Sequence, residues 1–348
     1  MTDKPKLQKR DTTDVLAAEV KRGVKAPLEK EKPLRFDHVI STGSTVLDLN
    51  ISGGRVRGGG VPGGIIVEIY GPSAAGKTSV LAEMCSSAQA KGGQAKFQDP
   101  EARLDKEYSI IYGMTLRDKE DYTRPNTVVE CFDNIKNWKP TNPDVVNIVG
   151  TDSLAALSTE MEMESEDKRG QKRAKDFSQE LRKIARVIAL NNWLIACTNQ
   201  LRSGEWGEVT PGGMAIPYYS SLRMRVAEVS KIEKTKKIGE KDIKKVIGIK
   251  SSVYIKKSTV DDPYRQVEIF IMFGYGIDDI RGNLQWYKDM TKGTKYECGD
   301  GKSYVSLDQA TMYVEKNGLE KELKERVIDL WEKIEEKFKE DRKPKVRG

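Results

Sequence analysis

Histidine is nearly absent from this chain: His38 stands alone among 348 residues. That scarcity removes the commonest general base and metal ligand together, and it speaks against Ser-His or Cys-His nucleophilic machinery. Cysteine is almost as rare. Cys85, Cys131, Cys197 and Cys298 are scattered and never at CxxC spacing, so a zinc centre is not expected and buried, reduced thiols are the plain reading. No run approaches the roughly 18 uninterrupted apolar residues of a membrane span. The opening MTDKPKLQKRDTTD is too polar for a secretory signal, so a cytoplasmic protein is expected.

What remains is a sequence 37% hydrophobic and 32% charged, as suits a globular protein with a heavily solvated surface. The net charge of +7 is compatible with a polyanionic partner without requiring one, so the placement of the charge matters more than its sum. The length suffices for one large core with a smaller attachment.

Residues 1–37 read as a charged arm with a short amphipathic stretch at 15–20. From Ile40 onward, short apolar runs alternate with helical periods. Strands are expected at 65–70, 95–98, 145–149 and 193–198, with helices after Lys77 and over 176–190. The first helix is closed by Gly92-Gly93. This alternation predicts an α/β fold with a mostly parallel, twisted sheet covered by helices. A lysine-rich segment at 231–250 interrupts the pattern as an exposed loop or hairpin beyond the sheet, and strand character returns at 252–256 and 267–273. A smaller unit follows at 282–338 and ends in a strongly helical stretch. The tail at 339–348 is basic.

The strongest motif is Gly71-Pro72-Ser73-Ala74-Ala75-Gly76-Lys77-Thr78, a full G-x-x-x-x-G-K-[ST] phosphate loop. It follows a predicted strand and opens a predicted helix, the context that gives the pattern its meaning. Glycines let backbone N–H groups close around phosphate oxygens, and the helix N-terminus, running on through Ser79, favours negative charge. Lys77 would reach the β- and γ-phosphates of ATP, and the Thr78 hydroxyl would hold Mg2+. Asp152, after the strand at 145–149, suits the magnesium shell, although alone it would serve equally as a helix N-cap. Glu101 is the candidate carboxylate for activating water, with a solvated turn residue as the alternative.

These residues lie within a longer set of matches. Ile40-Ser41-Thr42-Gly43-Ser44, Leu47-Asp48, Val67-Glu68-Ile69-Tyr70-Gly71-Pro72, Glu101 with Leu104-Asp105, Asp152-Ser153-Leu154-Ala155-Ala156-Leu157 and Asn199-Gln200-Leu201-Arg202 together resemble the RecA family of bacterial recombinases over residues 38–335. The resemblance implies a RecA-type P-loop NTPase core at 38–281, an N-terminal oligomerisation arm and a small C-terminal α/β domain. It implies an ATP-dependent recombinase that forms head-to-tail helical filaments on single-stranded DNA, pairs it with homologous double-stranded DNA, and serves recombination and repair. By the same resemblance Glu101 prepares the attacking water, Asp105 and Tyr108 hold adenine, and Gln200 senses the γ-phosphate.

Two DNA loops are likewise implied, at 162–175 and 203–214. The first brings Lys168, Arg169, Lys172, Arg173 and Lys175, and Ser178 and Arg182 match phosphate contacts in the helix after it. Arg202, Trp206, Gly212 and Gly213 belong with the second. Basic runs of this kind are also common as solvated helix faces. Lys257 matches a lysine that acts on the neighbouring subunit's ATP, while a second such lysine is replaced by Thr259. Gln98, Pro100, a slightly shorter first loop and the basic tail are further departures. They point to a divergent branch, one that a phage genome could carry. Two rival functions share these features: a ring-forming ATPase motor such as a helicase, and a nucleotide-gated module that binds protein.

Overall fold

The computed structural model describes residues 38–104, 106–117, 120–159, 169–204 and 207–339. The arm at 1–37 and the tail at 340–348 lie outside them. The first described elements are β1 (Val39–Ile40), α1 (Thr45–Ser52), β2 (Val61–Pro62), β3 (Ile66–Gly71) and α2 (Lys77–Ala90). Every residue of β3 is buried, including Glu68, as a strand covered on both faces requires. In α2, Val80, Leu81, Met84, Cys85 and Ala88 recur at helical spacing and are buried, and the Gly93 N–H caps the end on the Ala88 carbonyl at 2.9 Å.

The middle of the chain contributes β4 (Ala95–Gln98), α3 (Lys106–Ile111), β5 (Tyr122–Thr123), α4 (Val128–Lys136), β6 (Asn147–Thr151), α5 (Arg169–Asn191) and β7 (Trp193–Gln200). A short ribbon, β8 (Arg202–Gly204) and β9 (Gly207–Val209), precedes α6 (Ala215–Tyr219). Then come β10 (Leu222–Ile238), β11 (Lys241–Ser258), β12 (Gln266–Met272) and β13 (Gly276–Ile277). The central sheet has the order β13-β12-β11-β10-β3-β7-β6-β4-β5. Pairing is parallel from β10 through β5 and antiparallel from β10 through β13.

Alternate residues of the central strands enter two different cores. Val67, Ile69, Ile148, Leu194 and Ala196 pack with α1 and α2. Ile66, Val149, Ile195 and Cys197 pack with Val128, Phe132 and Ile135 of α4 and with Phe177, Leu181, Ile184 and Ile188 of α5. The 4-3-4 spacing of those α5 residues is what makes one helix face apolar. All four cysteines are buried and unpaired, and burial pushes the Cys85 and Cys131 thiols up to about 12.

Two expectations change. The segment at 231–250 is the exposed hairpin expected there, but its strands also run on into the sheet as the inner parts of β10 and β11, so the strand expected at 252–256 is the second half of β11 and not a separate element. The basic residues at 169–175 are the opening turns of α5, not loop. After Gly170 the sequence QKRAKD consists largely of strong helix formers in phase with Phe177.

The C-terminal elements are α7 (Asp279–Thr291), β14 (Tyr296–Glu297), β15 (Ser303–Tyr304), α8 (Leu307–Asn317) and α9 (Glu320–Phe338). Ile280, Leu284, Cys298, Ala310, Val314 and Leu323 form a small core of their own. Val327, Ile328 and Trp331 of α9 instead enter the main core. The Trp331 ring lies over Gly53, where a Cβ would sit 2.8 Å from it, and the Arg265 guanidinium lies over the ring at 5.3 Å. Arg57 also pairs with Glu325, Asp329 and Glu332, but it is half exposed, so those pairs add little beside the buried indole. Trp331→Ala is expected to lower unfolding free energy by about 3–5 kcal/mol through the cavity it leaves. Urea denaturation measures this, and an unchanged midpoint would show that α9 is not latched by the indole.

Candidate nucleotide site and candidate DNA loops

The phosphate loop leaves β3 at Gly71, where a Cβ would lie 1.9 Å from the Val226 carbonyl oxygen, so only glycine lets the strands approach. Gly76 has φ +94 and enters α2. Lys77 Nζ donates to the carbonyls of Gly71 at 3.1 Å and Pro72 at 2.6 Å, which holds the amine over the loop. Burial lowers its pKa, while Asp152 and Glu101 act in the opposite sense. A buried cation of this kind is matched to an anionic ligand.

Parallel pairing brings the C-terminal ends of β3, β4, β6 and β7 to one edge of the sheet, the usual ligand edge of such folds. A cleft of about 290 Å³ opens there, lined in part by Ser73, Lys77, Thr78, Glu101, Asp152 and Gln200. Asp152 Oδ2 accepts from Thr78 Oγ1 at 2.6 Å, and Oδ1 accepts from Thr198 Oγ1. Burial raises the Asp152 pKa against these two hydrogen bonds, and Glu101 and Asp99 raise it further. The N-cap alternative fails: the cap of the 3-10 turn Leu154–Ala156 is Ser153.

Glu101 is no solvated turn residue. Its side chain is 16% exposed, its Oε1 accepts from Ser153 Oγ at 2.6 Å and Gln200 Nε2 at 3.4 Å, and its Oε2 meets Arg103 Nη1 at 2.8 Å. Ser153, Arg103 and Thr198 were missed in the sequence, although the end-of-strand position of Ser153 and Thr198 was a usable signal. Asp105 lies outside the described residues, as does the side chain of Tyr108. A second cavity of about 570 Å³ reaches the phosphate loop at Ala74, Lys77 and Thr78, with Phe273 on its wall. Phe273 is 61% exposed, an apolar face that sequence reading did not single out.

A buried network runs behind Gln200. Asn199 Nδ2 donates to Glu68 Oε1 at 3.0 Å and to the Pro211 carbonyl at 3.1 Å, and Glu68 Oε2 accepts from Arg223 Nε at 2.6 Å. The start of the turn at 211–214 is thereby tied to the strand that carries the phosphate loop. Gly212 and Gly213 both have positive φ, and Cβ atoms there would lie 2.4 Å from Ile216 and 3.0 Å from Ala174. Glycine is thus required for this turn to seat on α5.

Lys175 and Arg182 are exposed and Ser178 is half-buried, at spacings that set them on one face of α5. Arg173 is used internally, its Nη2 donating to the carbonyls of Leu154 at 2.9 Å and Ala155 at 2.7 Å. Lys168 and Trp206 lie outside the described residues, as do the side chains of Arg169, Lys172 and Arg202. Lys257 does not line the cleft. Its Nζ donates to the carbonyls of Pro217 and Tyr218, both at 2.9 Å, and burial followed by Arg223 lowers its pKa.

A family model described as the RecA N-terminal domain matches residues 19–278. Protein RecA of Thermus thermophilus is 34% identical over 257 residues, spanning 72% of this chain and 71% of that protein. Protein RecA of Borreliella burgdorferi is 32% identical over 323 residues, 87% and 84% of the two chains. Protein RecA of Clostridioides difficile is 33% identical over 312 residues, 86% and 82%.

Asn199→Ala is expected to cost about 1–3 kcal/mol, because it strips a partner from the buried Glu68 oxygen and from the Pro211 carbonyl. Limited proteolysis should also cut faster within 203–214. An unchanged denaturation midpoint with unchanged cleavage would mean that the network contributes nothing.

Proposed function

This chain belongs to the RecA family, and from that premise we propose a division of labour among its residues. As a family member it is an ATP-dependent DNA recombinase: it hydrolyses ATP, binds DNA and forms filaments. The ring-forming motor is not favoured. We place its work in the cytoplasm, the host's if a phage encodes it. Its proposed ligands are single-stranded DNA and homologous double-stranded DNA.

In this reading Gly71 to Ser79 cradle the phosphates, and Lys77 meets the negative charge that builds on the β- and γ-phosphates during transfer. Thr78 and Asp152 are hard oxygen donors in a site where Asp99 and Glu101 leave positive charge wanting, and such a set fits Mg2+. Among the described residues no cluster of three or more His, Cys, Asp or Glu is placed to hold a metal. Magnesium is commonly held by one or two protein oxygens together with phosphates, the number that Thr78 and Asp152 supply. When bound it would neutralise charge across the phosphates. Asp105 and Tyr108 are proposed to hold adenine.

The observation that carries the reading is the Glu101 carboxylate, fixed by Ser153 and touched by Gln200 in the same cleft as Lys77. Glu101 would take the proton of the attacking water. Gln200 would exchange its hold on Glu101 for the γ-phosphate and, through the adjoining Asn199 and Pro211, bias the second loop. Lys168, Arg169, Lys172, Lys175, Ser178, Arg182, Arg202, Trp206, Gly212 and Gly213 would line the DNA path, with phosphate contacts from the cations and stacking from Trp206, while Arg173 would brace the start of α5 on the Leu154 and Ala155 carbonyls. Lys257 would serve a neighbouring copy's ATP, since a head-to-tail contact that does not close gives a filament. The arm at 1–37 would make that contact.

Glu101→Gln keeps shape but removes the base. Nucleotide binding and filament formation should persist while DNA-stimulated turnover falls by about two or more orders of magnitude. Lys77→Ala should abolish turnover, and near-normal rates in either variant would overturn the assignment.

Gln200→Ala should leave ATP binding intact and separate the two ligands. The gain in single-strand affinity on moving from ADP to an ATP analogue should vanish, together with the reciprocal stimulation of hydrolysis. A variant that loses stability but keeps the affinity ratio would reduce Gln200 to a structural role.

A further inference from the structure

Both oxygens of the candidate base are occupied by protein groups. The Glu101 Oε1 is held by Ser153 and Gln200, which are neutral, and Oε2 by the Arg103 guanidinium at 2.8 Å. A water giving up its proton needs an open acceptor oxygen, and Oε2 is the one that a cation covers. The Arg103 side chain is 79% exposed, and an ion pair so open to solvent contributes little to stability. Folding alone therefore gives no reason for the pair.

The turn that carries Arg103 is fixed from both ends. Asp99 Oδ2 accepts from the Leu104 N–H and the Tyr122 hydroxyl, both at 2.7 Å, and the Ala102 N–H donates to the Asp99 carbonyl at 3.1 Å. Ala102 has φ +53, a conformation uncommon outside glycine. Glu101 and Arg103, on either side of it, both line the cleft beside the phosphate loop. Asp99, Glu101 and Asp152 put three carboxylates on that lining, and Lys77 and Arg103 are its cations among the described residues. Lys77 feels the charge of Glu101 as well as that of Asp152, so the Glu101–Arg103 pair sits at the phosphate end of the cleft. A polyphosphate entering there meets one cation fixed on the loop carbonyls and a second on a long side chain that burial does not hold.

We propose that Arg103 is a catalytic arginine supplied in cis, which exchanges its pair with Glu101 for the γ-phosphate of bound ATP. The exchange uncovers the base and sets a second cation against the transferring group. This inference rests on the proposed reading of the cleft as the ATP site with Glu101 as its base. A γ-phosphate carries more charge than a carboxylate, and its oxygens suit the guanidinium fork, so the exchange runs toward the nucleotide. In the step itself a water oxygen bonds to the γ-phosphorus, the bond to the bridging oxygen breaks, its electron pair leaves with ADP, and the water proton passes to Glu101. Arg103 gives up no proton; it meets the charge on the γ-oxygens. ADP lacks those oxygens, so the arginine should also distinguish the two nucleotides.

Arg103→Gln in the full-length protein tests this. ADP and a non-hydrolysable ATP analogue are titrated by fluorescence, and turnover is measured at saturating ATP with single-stranded DNA. Affinity for the analogue should fall about tenfold while ADP affinity stays within about twofold, as loss of charge-assisted bonds to the γ-phosphate alone would give. Turnover (kcat) should fall at least about tenfold. The same loss of analogue affinity should appear in a Glu101→Gln background; a loss that needs Glu101 overturns the direct contact and makes Arg103 a positioning residue. Unchanged kcat with an unchanged affinity ratio reduces the pair to a solvated surface contact. Faster turnover at an unchanged ratio means that the arginine only covers the base, and equal losses for ADP and the analogue place it away from the γ-phosphate. Each of these three results overturns the proposal. Normal turnover in Glu101→Gln alone removes the base and not Arg103, whose contact is read from the affinity ratio without hydrolysis.

Discussion

Parallel register is the constraint on which the molecule depends. Gly71 pairs with Gln200, Gln98 with Thr151, and Thr151 with Cys197. Because alternate residues on these strands are claimed by two different cores, a slip of one residue would send Ile66 and Ile195 into the wrong layer. Burial on both faces therefore fixes the register, and the register fixes the height at which each strand ends. Lys77, Glu101, Asp152 and Gln200 come from four separate strand-to-loop junctions and still converge. Their precision is that of the sheet, not of the loops that carry them.

The parts legible in the sequence were those whose chemistry is local. A phosphate loop is eight consecutive residues between a strand and a helix, so spacing alone declares it. The same holds for β4, for the body of α2, and for the glycines that close it. Glu101 was ambiguous because its neighbours in the chain do not settle its environment. Ser153 and Gln200 do, from 52 and 99 positions away. Asp152 was ambiguous for the same reason, its deciding partners being Thr78 and Thr198. Arg173 looked like one cation among several until the fold turned it toward the Leu154 and Ala155 carbonyls.

Stability and function are distributed unevenly over this frame. The C-terminal elements have a small core of their own, but α9 reaches across to the main core with Trp331, so they are held by apolar burial rather than by the exposed pairs of Arg57. At the ligand edge, by contrast, polar groups are buried at a cost that hydrogen bonding only partly offsets, as the raised pKa of Asp152 and the lowered one of Lys77 record. The apolar layers can carry that cost because they do not share residues with the cleft's charged lining.

The inaccessible cysteines have a practical side. With every native thiol buried and those of Cys85 and Cys131 pushed up to about 12, the folded surface offers no native thiol that a maleimide could readily reach. A single cysteine introduced at an exposed position would be the one reactive handle on the folded molecule. Dyes or spin labels could then be attached one at a time without first stripping out native residues, so distances within an assembly could be read on an otherwise unaltered protein.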